Sequence, residues 1–291
     1  MRSACSAALG EALLKHCKEY YIFSMTHALE HSPQAFLNDA LRFIERSRKA
    51  ILDISKTSFR AELKDDNSYL TAADTMAERV LREAIQARFP QHEILGEEFA
   101  GQEDSAGYLW TIDPIDGTQN FVHGIPTYGT ILSLRHEGQA IVGVVDHPAM
   151  GLTYYGAKGC GAFCNGERIH IVDSLLPQGL DANEIIGTAT RGMFERSGEG
   201  KLLDAFMQLH GATRIYYDVF ATTQAIHGRL GAHVEFNVVL WDMSPTKLLV
   251  EEAGGAYEEL RRWKDTKGQT RYSIIFGKPS VVAQVGKHFR A

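Results

Sequence analysis

No run of about eighteen apolar residues occurs anywhere in the sequence, so no segment has the length and character of a membrane-crossing helix. The first two dozen residues carry acidic side chains and lack a long apolar stretch before a small-residue cleavage site, which excludes a secretory signal of the usual kind. Cysteine is scarce. The four present, Cys5, Cys17, Cys160 and Cys164, are too few to staple a chain of 291 residues, and they read as reduced thiols. Cys160 and Cys164 have half the spacing of a zinc site, but no Cys or His pair follows to complete it. Positive charge is also missing: the formal net charge is -6, against the basic face that a general nucleic-acid binder needs to displace counterions. There is no internal repeat and no low-complexity linker. These absences leave a cytoplasmic protein with neither membrane nor nucleic acid as partner, and a hydrophobic share of 44% is enough for a full core.

The chain alternates helical and extended signals. Apolar residues at Phe36, Leu37, Ala40, Leu41, Phe43, Ile44, Ala50, Ile51 and Ile54 recur at helical spacing, with Arg42, Glu45, Arg46 and Lys49 between them. After a polar loop, Thr71 and Asp74 have capping-box spacing at the head of a second amphipathic helix that Pro90 ends. Residues 92–96 read as a short buried strand leading to Glu97 and Glu98, adjacent carboxylates of which one should face inward. Residues 101–107 read as a flexible polar loop. Residues 130–137, 140–146 and 152–157 predict an antiparallel meander, followed by a hairpin turning at Asn165-Gly166. Further on, residues 185–190 predict a strand and 201–210 a helix. Residues 213–217 are β-rich before Asp218, residues 232–240 predict a buried strand ending at Trp241-Asp242, and a helix over 245–253 stops at Gly254-Gly255. Segments 256–260 and 272–277 and a closing helix over 280–288 complete a sheet.

The stretch from Trp110 to Pro126, W-T-I-D-P-I-D-G-T-Q-N-F-V-H-G-I-P, is chemically the richest. Asp113 and Asp116 stand three apart across a Pro-Ile turn after an apolar run, so one turn can aim both carboxylates at one divalent cation. Gly117 and Thr118 then open a helix, where unpaired backbone N–H groups favour an anion. An ordinary Asp-Pro turn with a Gly-Thr cap is the plainer alternative. Glu97, Asp113, Asp116 and Asp242 are hard oxygen donors with no Cys or His in their motifs, which suits Mg2+ or Mn2+.

D-P-I-D-G-T-x-N-F resembles the first signature of the inositol monophosphatase family, and Trp241-Asp242 followed by Glu251-Glu252-Ala253-Gly254-Gly255 resembles its second. The likeness spans roughly residues 36–282, and it departs from the family pattern at Ser244-Pro245. It implies an α+β fold of alternating helix and sheet layers, with a larger antiparallel sheet in the first half (about 25–175), a smaller mixed sheet in the second (about 176–291) and a cleft between them. Residues 1–24 fall outside it as an extension; Met25 is an alternative start and a short extra helix the competing reading. The implied activity is Mg2+-dependent hydrolysis of a phosphate monoester, with two or three ions for which Mn2+ can substitute. Asp113 would bridge two metals, Glu97 and the Ile115 carbonyl would complete the first, and Asp116 and Asp242 would hold the second. Glu97, Thr118 and Asp74 would act in catalysis, Gly117 and Thr118 N–H groups would bind phosphate, and Lys64 would lie near the metals. Asp74 thus has two readings, helix cap and metal-side acid.

Asp218 has two readings as well. It stands where the family supplies substrate contacts, and an Asp there is a feature of the histidinol-phosphatase branch, although Tyr216-Tyr217 replaces that branch's glycines. Alternatively it caps the following helix. The expected substrate is a small phosphorylated metabolite, histidinol phosphate first, with inositol 1-phosphate as the alternative and a nucleotide or sulfonucleotide behind both. A homodimer is implied by family habit. A catalytically silent binding protein of the same fold is the non-enzyme alternative.

Overall fold

In the computed structural model the described residues are 32–57, 61–63, 69–99, 101–103, 107–173, 175–176, 179–180, 184–196, 198 and 213–289. Lys64, the extension over 1–24 and the helix expected over 201–210 lie outside them.

Helix α1 (Pro33–Ser55) starts where Ser32 Oγ accepts from Ala35 N, with Pro33 in the first turn, where its missing N–H costs nothing. A short ribbon, β1 (Ala61–Leu63) with β2 (Tyr69–Thr71), leads to α2 (Ala72–Arg88), which begins on the expected capping box of Thr71 and Asp74. The two helices bury Phe36, Leu37, Ile44, Leu81 and Ile85 against one face of a seven-stranded sheet. Its strands, in spatial order, are β3 (Glu93–Gly96), β4 (Tyr108–Asp116), β5 (Gly129–His136), β6 (Gln139–His147), β7 (Leu152–Ala157), β8 (Gly161–Cys164) and β9 (Glu167–Arg168). The meander and the Asn165-Gly166 turn stand as expected, the turn with both residues at positive φ (49° and 89°). The sheet is not purely antiparallel, because β3 runs parallel to β4. Helix α3 (Thr118–Val122) follows β4.

The second half begins with a small ribbon, β10 (Leu175–Leu176) with β11 (Gly179–Leu180), then β12 (Ile186–Thr188), α4 (Arg191–Arg196), β13 (Thr213–Ile215), α5 (Asp218–Ile226) and β14 (Ala232–Val238). Two short helices, α6 (Leu240–Met243) and α7 (Thr246–Glu252), precede the hairpin β15 (Ala256–Lys264) and β16 (Thr270–Gly277), and α8 (Pro279–Gly286) closes the fold with a 3-10 turn at Lys287–Phe289. The five-stranded sheet has the order β13-β12-β14-β16-β15, parallel at the first two pairings and antiparallel at the last two, hence mixed as expected. The hairpin strands run longer than the sequence pattern indicates. Strand β14 stops before Trp241-Asp242, which belong to α6: Asp242 Oδ2 accepts from Val239 N at 3.0 Å and turns the chain into helix. Ser244-Pro245 fits between α6 and α7, with Pro245 lying so close to Gly143 of β6 that a Cβ there would stand 2.7 Å from the Pro245 Cβ.

Ile131, Val145 and Tyr154 on the other face of the seven-stranded sheet pack with Val219, Ile226, Leu249 and Phe276 into the core joining the two halves. Phe194, Phe236 and Val281 form a third core on the outer side of the smaller sheet. The layers therefore run helix, sheet, helix, sheet, helix, the α+β arrangement expected.

Candidate functional site

Strand β4 delivers two carboxylates to one place through a bulge. Asp113 is opposite Ile131 and Asp116 opposite Gly129, so three steps on β4 match two on β5. In a regular strand residues three apart face opposite sides; the extra residue at Pro114-Ile115 puts both aspartates on the face turned to the second half. Thr130 Oγ1 donates to Pro114 O at 2.8 Å and holds the bulge. Glu97 joins them because its N–H donates to Ile112 O at 3.1 Å, carrying the β3–β4 ladder one step further and setting it beside Asp113. Asp242 arrives from the second half on α6.

Burial and neighbouring charge raise the proton affinity of Asp113, Asp116 and Asp242. Burial and then the nearby Glu97, Asp116 and Asp242 push Asp113 well above the usual carboxylate range. Burial, Asp218, Asp242 and Glu235 do the same to Asp116. Asp242 is pushed up to about 8, by burial first, with the Val239 N–H and Arg271 working against the shift. One oxygen of Asp113, Oδ1, is buried without a hydrogen-bond partner. Among the described residues no three acidic, His or Cys side chains close around a single point. A set of hard oxygen donors with an orphaned oxygen at its centre still fits a divalent cation of the magnesium type.

Thr118 sits at the head of α3, its hydroxyl 2.9 Å from Ile115 O and 3.3 Å from Asp74 Oδ1. Asp74 performs its capping role with the other oxygen, which accepts from Thr71 N at 2.7 Å and Thr71 Oγ1 at 2.6 Å. The capping reading of Asp74 stands, and its second oxygen is left facing the Thr118 hydroxyl. Burial pushes it up to about 6, against the Thr71 hydrogen bonds. Gly117 is left-handed at φ 79° and closely packed on its Cα side: a Cβ would stand 3.1 Å from Asp218 Oδ2 and 3.3 Å from Asn120 Nδ2. Helix α3 has only five residues, so an anion here would be held by individual N–H groups more than by a helix dipole.

Asp218 does not spend its carboxylate on a helix cap. At φ 56° it turns the side chain to accept from Asn120 Nδ2 at 3.1 Å, which ties the second half to the D-G-T-Q-N segment. It is pushed up to about 7 by burial and by Glu235. A small cavity of about 70 Å3 lies between Asp116, Asp242, Asp218 and Glu235, with Ala189, Met193 and Tyr217 as its apolar wall. Glu235 accepts from Thr222 Oγ1 at 2.9 Å and contacts His233 Nε2 at 3.1 Å. Glu235, His233 and Asn120 are not singled out by the sequence; the alternation of His233, Glu235 and Asn237 with apolar residues in the 232–240 run is the available signal for the first two.

Residues 34–278 match the inositol monophosphatase family. The chain belongs to that family. It is 32% identical over 245 residues to a histidinol-phosphatase of Chlorobaculum parvum (84% of this chain, 90% of the relative). It is 31% identical over 230 residues to human inositol monophosphatase 2 (76% and 78%). Among solved structures, the Thermotoga maritima IMPase superposes with a TM-score of 0.73 at 27% identity, covering 87% of this chain and 96% of that one. A phosphatase of this metal-dependent family acts on a small phosphorylated substrate, and among the described residues no helix is long and apolar enough to cross a membrane.

The raised carboxylates predict a pH-dependent stability. A folded-state pKa above the unfolded value means that stability is present at low pH and lost as pH rises through the folded value. Asp218 raised from 3.8 to about 7 and Asp242 from 3.8 to about 8 place the loss between roughly pH 4 and pH 8, and its upper part lies above the range, up to 6.5, in which His147 and His227, both lowered by burial, act in the opposite sense. Metal-stripped protein should lose about 5 °C of melting temperature or more across that window, and added Mg2+ should restore more at the upper end than at the lower. A flat or rising profile without metal would contradict the clustering.

Proposed function

We propose that the protein is a Mg2+-dependent phosphate monoester hydrolase whose preferred substrate carries a cationic group, with histidinol phosphate the best fit. The carrying observation is the cavity beside Asp116 and Asp242: Asp218 and Glu235 wall it, and among the described residues no Lys or Arg does. In this reading Glu97, Asp113, Asp116, Asp242 and the Ile115 carbonyl hold the ions, Mn2+ being able to replace Mg2+. Bound divalent cations lower the pKa of a water and offset charge developing on the leaving oxygen. Glu97 and the Thr118 hydroxyl would orient an attacking water, and Asp74, behind Thr118, would be the carboxylate placed to accept a proton. Gly117 and Thr118 N–H groups hold a phosphate oxygen. No covalent intermediate is needed for in-line attack on phosphorus. Homodimer assembly and a cytoplasmic site of action belong to the same reading, supported by family membership alone.

An ammonium or imidazolium in the cavity would keep Asp218 ionised and gain roughly 1.5–3 kcal/mol from the charge-assisted contact. A neutral polyol such as inositol 1-phosphate gains less. Phosphate release should therefore show a higher kcat/KM on histidinol phosphate than on inositol 1-phosphate, and EDTA should abolish both. Asp218→Asn should narrow the preference by about tenfold, the equivalent of about 1.4 kcal/mol. Faster hydrolysis of inositol 1-phosphate, with a ratio that Asp218→Asn leaves unchanged, would replace this reading with the inositol one.

A further inference from the structure

Glu78 stands one helical turn beyond Asp74 on α2, fully buried, and takes no part in the site described so far. Its Oε1 accepts from Arg82 Nε at 2.7 Å and its Oε2 from the backbone N–H of Glu98 at 2.9 Å. Arg82 Nη2 in turn donates to Phe99 O at 2.6 Å, and its guanidinium lies 5.6 Å from the centre of the Phe99 ring. On the other side of Glu97, the Glu78 carboxylate rests against bare backbone. A Cβ on Gly96 would stand 1.9 Å from Glu78 Oε1, so only glycine admits it there. The pair thus grips the chain immediately before and immediately after Glu97, and touches little else that is polar.

Such a pair is a poor way to stabilise a core. Withdrawing two charges from water costs about as much as their attraction returns, and a packed apolar pair would do as well. What the pair supplies that apolar side chains cannot is direction: hydrogen bonds to particular peptide groups fix the path of residues 96–99. Alternation along β3 depends on that path. Leu95 faces the core shared with the second half, Gly96 faces Glu78, and Glu97 returns to the side of Asp113. A shift of the segment would carry the Glu97 carboxylate away from Asp113 while leaving both strands intact.

We propose that Glu78 and Arg82 are positioning residues that hold Glu97 in register with Asp113 for metal binding. The inference rests on the reading of Glu97 as a metal ligand. It also gives α2 two tasks on one face, since Asp74 and Glu78 bring the proton acceptor and the holder of Glu97 to the site on the same rigid helix.

Calorimetric titration with Mn2+ of the full-length protein tests this without reference to turnover. Glu78→Gln, equal in size but with one acceptor replaced by a donor, should weaken Mn2+ binding by about tenfold or more, as loss of a partner that orients a ligand does. Arg82→Met should weaken it in the same direction, and in both variants the metal concentration for half-maximal phosphate release should rise by more than the substrate KM. A role confined to stability would lower the melting temperature and leave the Mn2+ affinity within about twofold of the parent, and that result overturns the proposal. Should Glu78→Gln fail to fold, Arg82→Met decides by the same criterion. Glu97→Gln separates the two layers of the argument. If it weakens Mn2+ binding and neither positioning variant does, only this inference falls; if it too leaves binding unchanged, the assignment of Glu97 falls and the positioning role with it.

Discussion

Asp116→Asn should reduce phosphate release by about a thousandfold or more at saturating Mg2+ while the protein stays folded. The substitution keeps size and shape at the end of β4 and removes one negative charge from a crowded set. Asp116 is half-buried beside Asp218, Asp242, Glu235 and Glu97, each of which makes its ionised form harder to maintain. Without a cation, then, the neutral asparagine relieves repulsion, and the melting temperature of metal-stripped protein should hold or rise. With a cation the order reverses, because the variant offers one charge fewer to an ion that the remaining carboxylates must bind. The two measurements pull in opposite directions for a physical reason, and so they separate a metal ligand from a merely structural aspartate, whose loss would lower stability in both conditions. Turnover within about tenfold of the parent would remove Asp116 from the metal set.

Where an arrangement depends on neighbours in sequence, it is legible. Asp113, Asp116, Gly117 and Thr118 are read from one continuous segment, and the structure shows the device that makes their spacing work: the bulge at Pro114-Ile115, which no periodicity argument would reveal. The capping box at Thr71 and Asp74 is likewise local and stands as expected. Roles created by long-range contact were not legible. Glu78 looks like any acid in an amphipathic helix until α2 is laid on Gly96, and Asn120 like a helix filler until Asp218 meets it from 98 residues away. The parallel pairing of β3 with β4 is hidden for a related reason, since the sequence over 97–107 carries no helical periodicity of the kind that usually announces a parallel crossover. Asp242 was placed at a strand end because the apolar run continues to Leu240; its own carboxylate, bonded to Val239 N–H, ends the extended stretch earlier.

Asp74→Asn should cut kcat by about two to four orders of magnitude with little effect on stability. The side chain has one oxygen on the helix cap, toward Thr71 N and Oγ1, and the other on the Thr118 hydroxyl. An asparagine carbonyl oxygen can still accept from Thr71 N as the third residue of the capping box, so turning it that way should hold the loss of stability to about 1 kcal/mol, the worth of an ordinary hydrogen bond. Its amide group then faces Thr118 and can only donate there. A proton moving off the water through Thr118 would have no acceptor, and turnover would fall although substrate and metal still bind. The pH profile adds a second signature. Asp74 must be ionised to accept a proton, and burial sets it at about 6 in the absence of a cation; bound cations favour the ionised form, so the acidic limb of the parent's kcat should lie at or below that value. In the variant that limb should disappear, leaving a slow rate that varies less with pH. If instead the variant melts several degrees lower and keeps its kcat, the carboxylate serves the helix alone, and the contact with Thr118 is a consequence of where α2 begins.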